Sequence, residues 1–183
     1  MDNHRTMPEL QAALAEAGTS PADGGKLEMI VRRPDIDQRE IVETASLDLV
    51  EGLIGDSWRA RGSSATDDGR ANPDAQIAII SSRVIQALTQ DRSRWALAGD
   101  QLFVDIDLSK DNLPPGQRLS IGTAVLEITD VPHTGCAKFT ERFGHDAIRL
   151  VNSPQGRESC WRGIYARVVQ AGTISTGDIV RKC

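Results

Sequence analysis

At 183 residues, with 26% of them charged and a formal charge of −5, the chain is long enough for one well-buried core and rather short for two. The acidic balance argues against a broadly basic surface for nucleic acid or membrane, so any anion site has to be a local pocket of Arg and Lys. Aromatic residues make up only 4%, which places the core on Ile, Val, Leu and Ala.

The opening segment MDNHRTMPELQAALAEAG has no basic stretch leading into an apolar one, and no later run approaches the roughly 18 to 20 apolar residues of a membrane span. A cytoplasmic location without membrane association is the expectation. The three cysteines, Cys136, Cys160 and Cys183, are scattered and include no Cys-x-x-Cys. They fit neither a disulfide framework nor a Cys-rich zinc site and read as reduced thiols.

Met7, Leu10, Ala13, Leu14 and Ala17 share one side of a helical projection, and Gly18 to Gly25 then supply linker chemistry. Residues 1–25 are thus expected to form an amphipathic helix and linker, with the main domain over 26–183. Leu27 to Val31 reads as a first strand, ended by Arg32-Arg33-Pro34, whose paired arginines read as solvated. Residues 38–50 are ambiguous between helix and strand, and residues 61–74 form a long polar stretch, expected to be either mobile or part of a binding mouth. Gln76 to Ile80 reads as a buried strand, with Ser81 or Ser82 capping a helix through Leu88. Gln101 to Ile106 alternates like a half-buried strand, and two short extended runs flank Gly122-Thr123. Beyond the central stretch, residues 146–152 read as a helical turn or two, 153–156 as a loop, 163–169 as a strong strand and 177–180 as the start of a last one. The Gly-Asp pairs at Gly55, Gly99 and Gly177 are read as turns, Asp56 included. Many short strands with few helices predict a mainly β fold with some α, a barrel or sandwich decorated with short helices.

The stretch Pro132-His133-Thr134-Gly135-Cys136-Ala137-Lys138-Phe139-Thr140-Glu141-Arg142-Phe143-Gly144 concentrates the chemistry. Its breakers surround His133, while Lys138, Phe139, Arg142 and Phe143 fall at helical spacing, which predicts a loop entering a short helix with Cys136 near its first turn. A thiol beside such cations is placed where the thiolate, the nucleophilic and metal-binding form, is favoured. His133 is a candidate for proton transfer, Lys138 and Arg142 for clamping an anion at i, i+4, and Asn112 and Arg162 for contacts to a phosphate. Phe139 and Phe143 read as core, Cys160 and Cys183 as structural or incidental. No His-x-x-x-His, Gly-x-Ser-x-Gly or phosphate-loop pattern occurs, which removes most zinc, hydrolase and nucleotide readings.

PHTGCAKFTERFG, together with RGIYARVVQAGTISTGDIVRK, NLPPGQRLSIG and GLIGDSW, resembles the MOSC family, named for molybdenum cofactor sulfurase C-terminal domains, and in particular its small stand-alone bacterial members. The resemblance implies a MOSC-type β-barrel that binds the molybdenum cofactor (molybdopterin), with Cys136 as the metal ligand and reduction of N-hydroxylated compounds as the most concrete activity. Electrons would come from a separate reductase. Two other readings remain open beside it: a sulfur carrier whose Cys136 persulfide, received from a separate sulfur donor, is handed to a metal centre, and a non-catalytic cofactor-binding barrel. Larger relatives carry a pyridoxal-phosphate-dependent sulfurase domain, for which this chain has no room.

Overall fold

A computed structural model describes residues 4–183; the first three residues of the expected N-terminal extension lie outside them. Seven strands close into a barrel. β1 (Gly25–Arg32) pairs with β6 (Leu102–Val104), followed round the barrel by β5 (Ile77–Ser81), β9 (Ile164–Gln170), β8 (Ala124–Ile128), β7 (Arg118–Ile121) and β11 (Ile179–Lys182). β11 returns to β1 through Gly25 opposite Val180, which leaves the barrel proper without a free edge. All pairings are antiparallel except β5 with β6. β2 (Glu40–Val42) extends β1 beyond the barrel, and β3 (Thr44–Asp48), β4 (Gly52–Leu53) and β10 (Gly172–Ser175) form a small second sheet. The expected β-barrel with short helices is the fold observed.

Two apolar clusters use opposite faces of the same strands. Leu27, Ile30, Ile79, Leu102, Leu126 and Ala166 fill the barrel interior. Met29, Val31, Ile80 and Phe103 face outward beneath the helices, packed on Leu10, Val84, Ile85, Trp95 and Phe139. Strict alternation would put Leu27 and Met29 on one face; the register shift in β1 between them sends Met29 outward and Ile30 inward.

The helices are α1 (Met7–Ala17), α2 (Trp58–Arg61), α3 (Ser82–Leu88), α4 (Ala137–Phe143), α5 (His145–Val151) and α6 (Pro154–Glu158), with 3-10 turns at Pro73–Ala75 and Arg92–Ala98. The ambiguous 38–50 segment is strand, and the loop expected at 153–156 is instead the start of α6. Ser153 accepts from the Gly156 N–H and Pro154 occupies the first helical turn, an N-terminal signal that the loop reading overlooked. β10 begins at Gly172, two residues after the last residue of β9. The α3 helix forms as expected, but the Ser81 hydroxyl does not cap it.

The N-terminal segment is tied down at several points. Leu10 is fully buried, Met7 N donates to Asp146 Oδ2 at 2.9 Å, and Arg83 Nη1 donates to the Ala17 carbonyl at 2.7 Å. The linker is held by Asn112, which donates to Ala22 O, and by Asp23, which accepts from Lys182 N. Leu10→Ala is therefore expected to lower the unfolding free energy by about 2–5 kcal/mol, the range for emptying a fully buried leucine site. Urea denaturation should show this as a lower midpoint at unchanged slope; an unmoved midpoint would mean α1 rides on the surface without contributing to the core.

Candidate functional site

Cys136 is the N-cap residue of α4 and is exposed to solvent. Its carbonyl accepts from Thr140 N at 3.0 Å, which starts the helix and fixes the backbone that carries the thiol. The helix turns Phe139 and Phe143 into the outer core, ring centroids 4.9 Å apart, and so leaves Lys138 on the outer side. Just upstream, Gly135 N donates to Asn152 Oδ1 at 3.2 Å; a Cβ on Gly135 would meet the Ile148 side chain at 2.9 Å, so the approach of this loop to α5 needs glycine.

Behind the thiol lies a buried polar layer. The Arg162 Nη1 donates to Asp100 Oδ2 at 2.8 Å and its Nη2 to Ala98 O at 3.0 Å, while the guanidinium sits 4.7 Å above the Phe139 ring. The His133 imidazole stacks on Tyr165 with centroids 4.2 Å apart, and its Nδ1 faces Asp100 Oδ1 at 3.7 Å, beyond hydrogen-bond length. Both of those atoms and Arg162 Nε are buried without a hydrogen-bond partner. Gly163, at φ 104°, lets β9 start this close: a Cβ there would lie 2.3 Å from Ile79 O and 3.2 Å from His133 Nδ1.

Burial, with Arg162 and Arg33 adding to it, pushes the His133 pKa well below 6.5, so the ring is neutral. Burial pushes Asp100 up from 3.8, opposed chiefly by Arg162. Burial, then the Asp100 charge, raises the Tyr165 pKa.

Around it stands a group of cations. Arg33, read from the sequence as solvated, is buried: its Nε and Nη2 grip both oxygens of Asp56 at 2.8 Å, and its Nη1 donates to Gly99 O. Asp56 also accepts from Arg33 N and Trp58 N, so it is a buried counter-ion as well as a turn residue. Lys138 Nζ and Arg142 Nη2 both donate to Asp37 Oδ1 at 2.9 Å. Arg142 is anchored further by Nη1 to Leu97 O. Arg39 is pushed below its usual pKa by burial and by Arg142 and Arg33, and Arg61 by partial burial and Arg33. Among the described residues the Arg61 guanidinium has no hydrogen-bond or ion-pair partner.

Of the residues singled out from the sequence, Cys136, His133, Lys138, Arg142 and Arg162 are brought together. Asn112 shares no partner with them: its amide donates to Ala22 O and Asp107 O, and its Oδ1 accepts from Lys182. Arg33, Asp37, Arg39, Asp56, Arg61, Asp100 and Tyr165 were not anticipated. The signal for two of them lay in the Gly-Asp pairs, since Asp56 and Asp100 are the acids that orient Arg33 and Arg162.

The description "MOSC domain" fits residues 66–181, more than half of the chain. The chain belongs to the MOSC family. That family is commonly linked to molybdenum cofactor binding. β1 to β4 precede the matched span, yet β1 closes this MOSC barrel. No curated relative matches the chain. Among solved structures it is similar in fold to the YuaD protein of Bacillus subtilis, at TM-score 0.64 and 18% identity over 85% of this chain and 93% of that one. It is also similar to YiiM of Escherichia coli, at TM-score 0.56 and 16% identity over 86% of this chain and 69% of that one. No helix among the described residues is long and apolar enough to cross a membrane.

Two outcomes follow for this MOSC site. Arg162→Ala leaves the Asp100 carboxylate buried and unpaired and should cost about 3–5 kcal/mol, whereas the double variant Arg162→Met/Asp100→Leu should recover most of that loss in chemical denaturation. An unfolded histidine takes up its proton below 6.5, while His133 in the fold does not. The unfolded state then binds more protons, so stability is lost as pH falls below 6.5. His133→Gln should flatten the stability curve between about pH 5 and 6.5 relative to the parent protein.

Proposed function

We propose that this MOSC protein binds the molybdenum cofactor with the Cys136 thiolate as the metal's protein ligand and the surrounding cations as the seat of the cofactor's phosphate. The observation supporting it is an exposed thiol on the N-cap of α4, the helix that carries Lys138 and Arg142 and whose Phe139 ring lies under the Arg162 guanidinium, in a chain that is acidic overall. The donor set fits the group. A thiolate is a soft donor suited to a molybdenum centre, and guanidinium forks suit phosphate oxygens. Bound there, the cofactor would supply two-electron redox chemistry, with N-hydroxylated compounds as the acceptor class and electrons from a separate reductase.

The chain's own residues do the rest. Cys136, carried on the exposed N-cap of α4, would hold the metal. His133 is held neutral by burial; the Asp100 oxygen opposite its Nδ1 favours the proton on that nitrogen, which leaves Nε2 as a hydrogen-bond acceptor. Arg162 keeps Asp100 in place while Asp56 orients Arg33. Asp37 is a resident anion on Lys138 and Arg142 that an incoming phosphate has to displace.

Protein purified from a cofactor-competent host is expected to carry near-stoichiometric molybdenum, and Cys136→Ala to lose it. Cyanide-labile sulfur on Cys136 without metal would instead establish the sulfur-carrier reading, which the openness of the thiol also suits. Pterin retained by Cys136→Ala would point to a non-catalytic cofactor-binding barrel. Asp37→Asn, by freeing Lys138 and Arg142, should tighten inorganic phosphate binding several-fold in calorimetric titration, consistent with the modest worth of an exposed ion pair.

A further inference from the structure

The backbone from Ile128 to Thr134 forms one wall of a cavity of about 370 Å³; Cys136, two residues further on, is outside it. The volume falls in the range of small-molecule sites. Its apolar walls include Leu113, Ile128, Val151 and Ile164, all buried side chains held by the barrel and α5, so the space is set by the core and does not have to open. His133 and Arg162 also line it, with side chains only 6% and 8% exposed, and each carries a buried nitrogen that no protein group satisfies, Nδ1 and Nε. His133 Nδ1 faces Asp100 Oδ1, so what the cavity offers a ligand is its apolar wall and the charged side chains that line it.

Besides Arg162, which is paired with Asp100, the charged groups at this cavity are Lys110, Arg157 and Asp130. Lys110 is neutralised by Glu158 at 2.9 Å. Arg157 is different: its Nε donates to Asn152 O at 3.0 Å, which anchors the fork, while its two terminal nitrogens have no partner among the described residues. Cys160 completes the wall in a left-handed backbone conformation, φ 51°, with its Sγ 3.7 Å from Arg157 O. Burial pushes the Cys160 thiol up, so this half-buried wall residue reacts slowly with electrophiles.

We propose that this cavity is a second binding site, for a small aromatic or branched apolar carboxylate whose hydrocarbon packs beside Ile128 and Ile164 and whose carboxylate pairs with Arg157. An anchored guanidinium with two free N–H edges matches a carboxylate in bidentate geometry, and the apolar walls exclude a strongly hydrated dianion. The site shares His133 and Arg162 with the proposed cofactor site but not Cys136, so it is tested on protein without that thiol.

Cys160 supplies the reporter. Cys136 and Cys183 are exposed, so Cys136→Ser/Cys183→Ser removes the other thiols without emptying the core. In that background, 2-naphthoate should slow N-ethylmaleimide modification of Cys160 in a saturable manner, and calorimetry with the same compound gives a readout that does not depend on thiol reactivity. Adding Arg157→Ala, an exposed position, should raise the half-saturating concentration about tenfold, the loss of one charge-assisted contact. 2-Naphthylmethylammonium, of similar shape and opposite charge, should bind far more weakly. The proposal is overturned if calorimetry detects no naphthoate binding, if the ammonium compound binds equally well, or if Arg157→Ala leaves the affinity unchanged.

Discussion

The buried pair of Asp100 and Arg162 is the constraint on which the site depends. A carboxylate and a guanidinium removed from water are tolerable only when each is held by the other and by further hydrogen bonds. Arg162 meets that condition with Asp100, the Ala98 carbonyl and the Phe139 ring together. Those partners come from the 3-10 turn at Arg92–Ala98, the turn into β6, and α4. One ion pair thereby fixes the outer helical layer against the end of β9. His133 then finds its place between Asp100 and Tyr165, and the loop that carries it delivers Cys136 to the surface.

Arg33 and Asp56 repeat the device at the end of β1. In both, the acid follows a glycine at φ 88°, so a turn that only glycine accommodates easily also supplies the counter-ion. The two pairs put permanent cations close to a histidine that burial already keeps neutral. Their fields reinforce that neutrality, so the imidazole stays unprotonated near neutral pH. Farther out, Arg39, Arg61, Lys138 and Arg142 extend the positive region to the solvent, where Asp37 is the local acid that meets two of them.

The same wall serves two faces. His133 and Arg162 stand behind Cys136 on the open side and line the apolar cavity on the other. Occupancy of that cavity would bear on the hydrogen bonding of His133 without any contact to the thiol, because the imidazole is common to both.

Much of this was legible in the chain. The strands around Leu27, Ile77, Ala124 and Ile164 follow from their apolar runs, and the cysteine stretch follows from breakers, a thiol and cations at helical spacing, since these are local properties of period and turn chemistry. What the chain did not disclose depends on residues far apart in it. Arg33 looks like any paired surface arginine until Asp56 folds over it, and Asp100 looks like a turn until Arg162, 62 residues later, reaches it. Burial and counter-ions are set by which segments the barrel closes together. Local pattern decided where the elements lie and which residue types could do chemistry; tertiary packing alone decided which charges are desolvated, because desolvation is a property of the assembled neighbourhood and not of any single stretch.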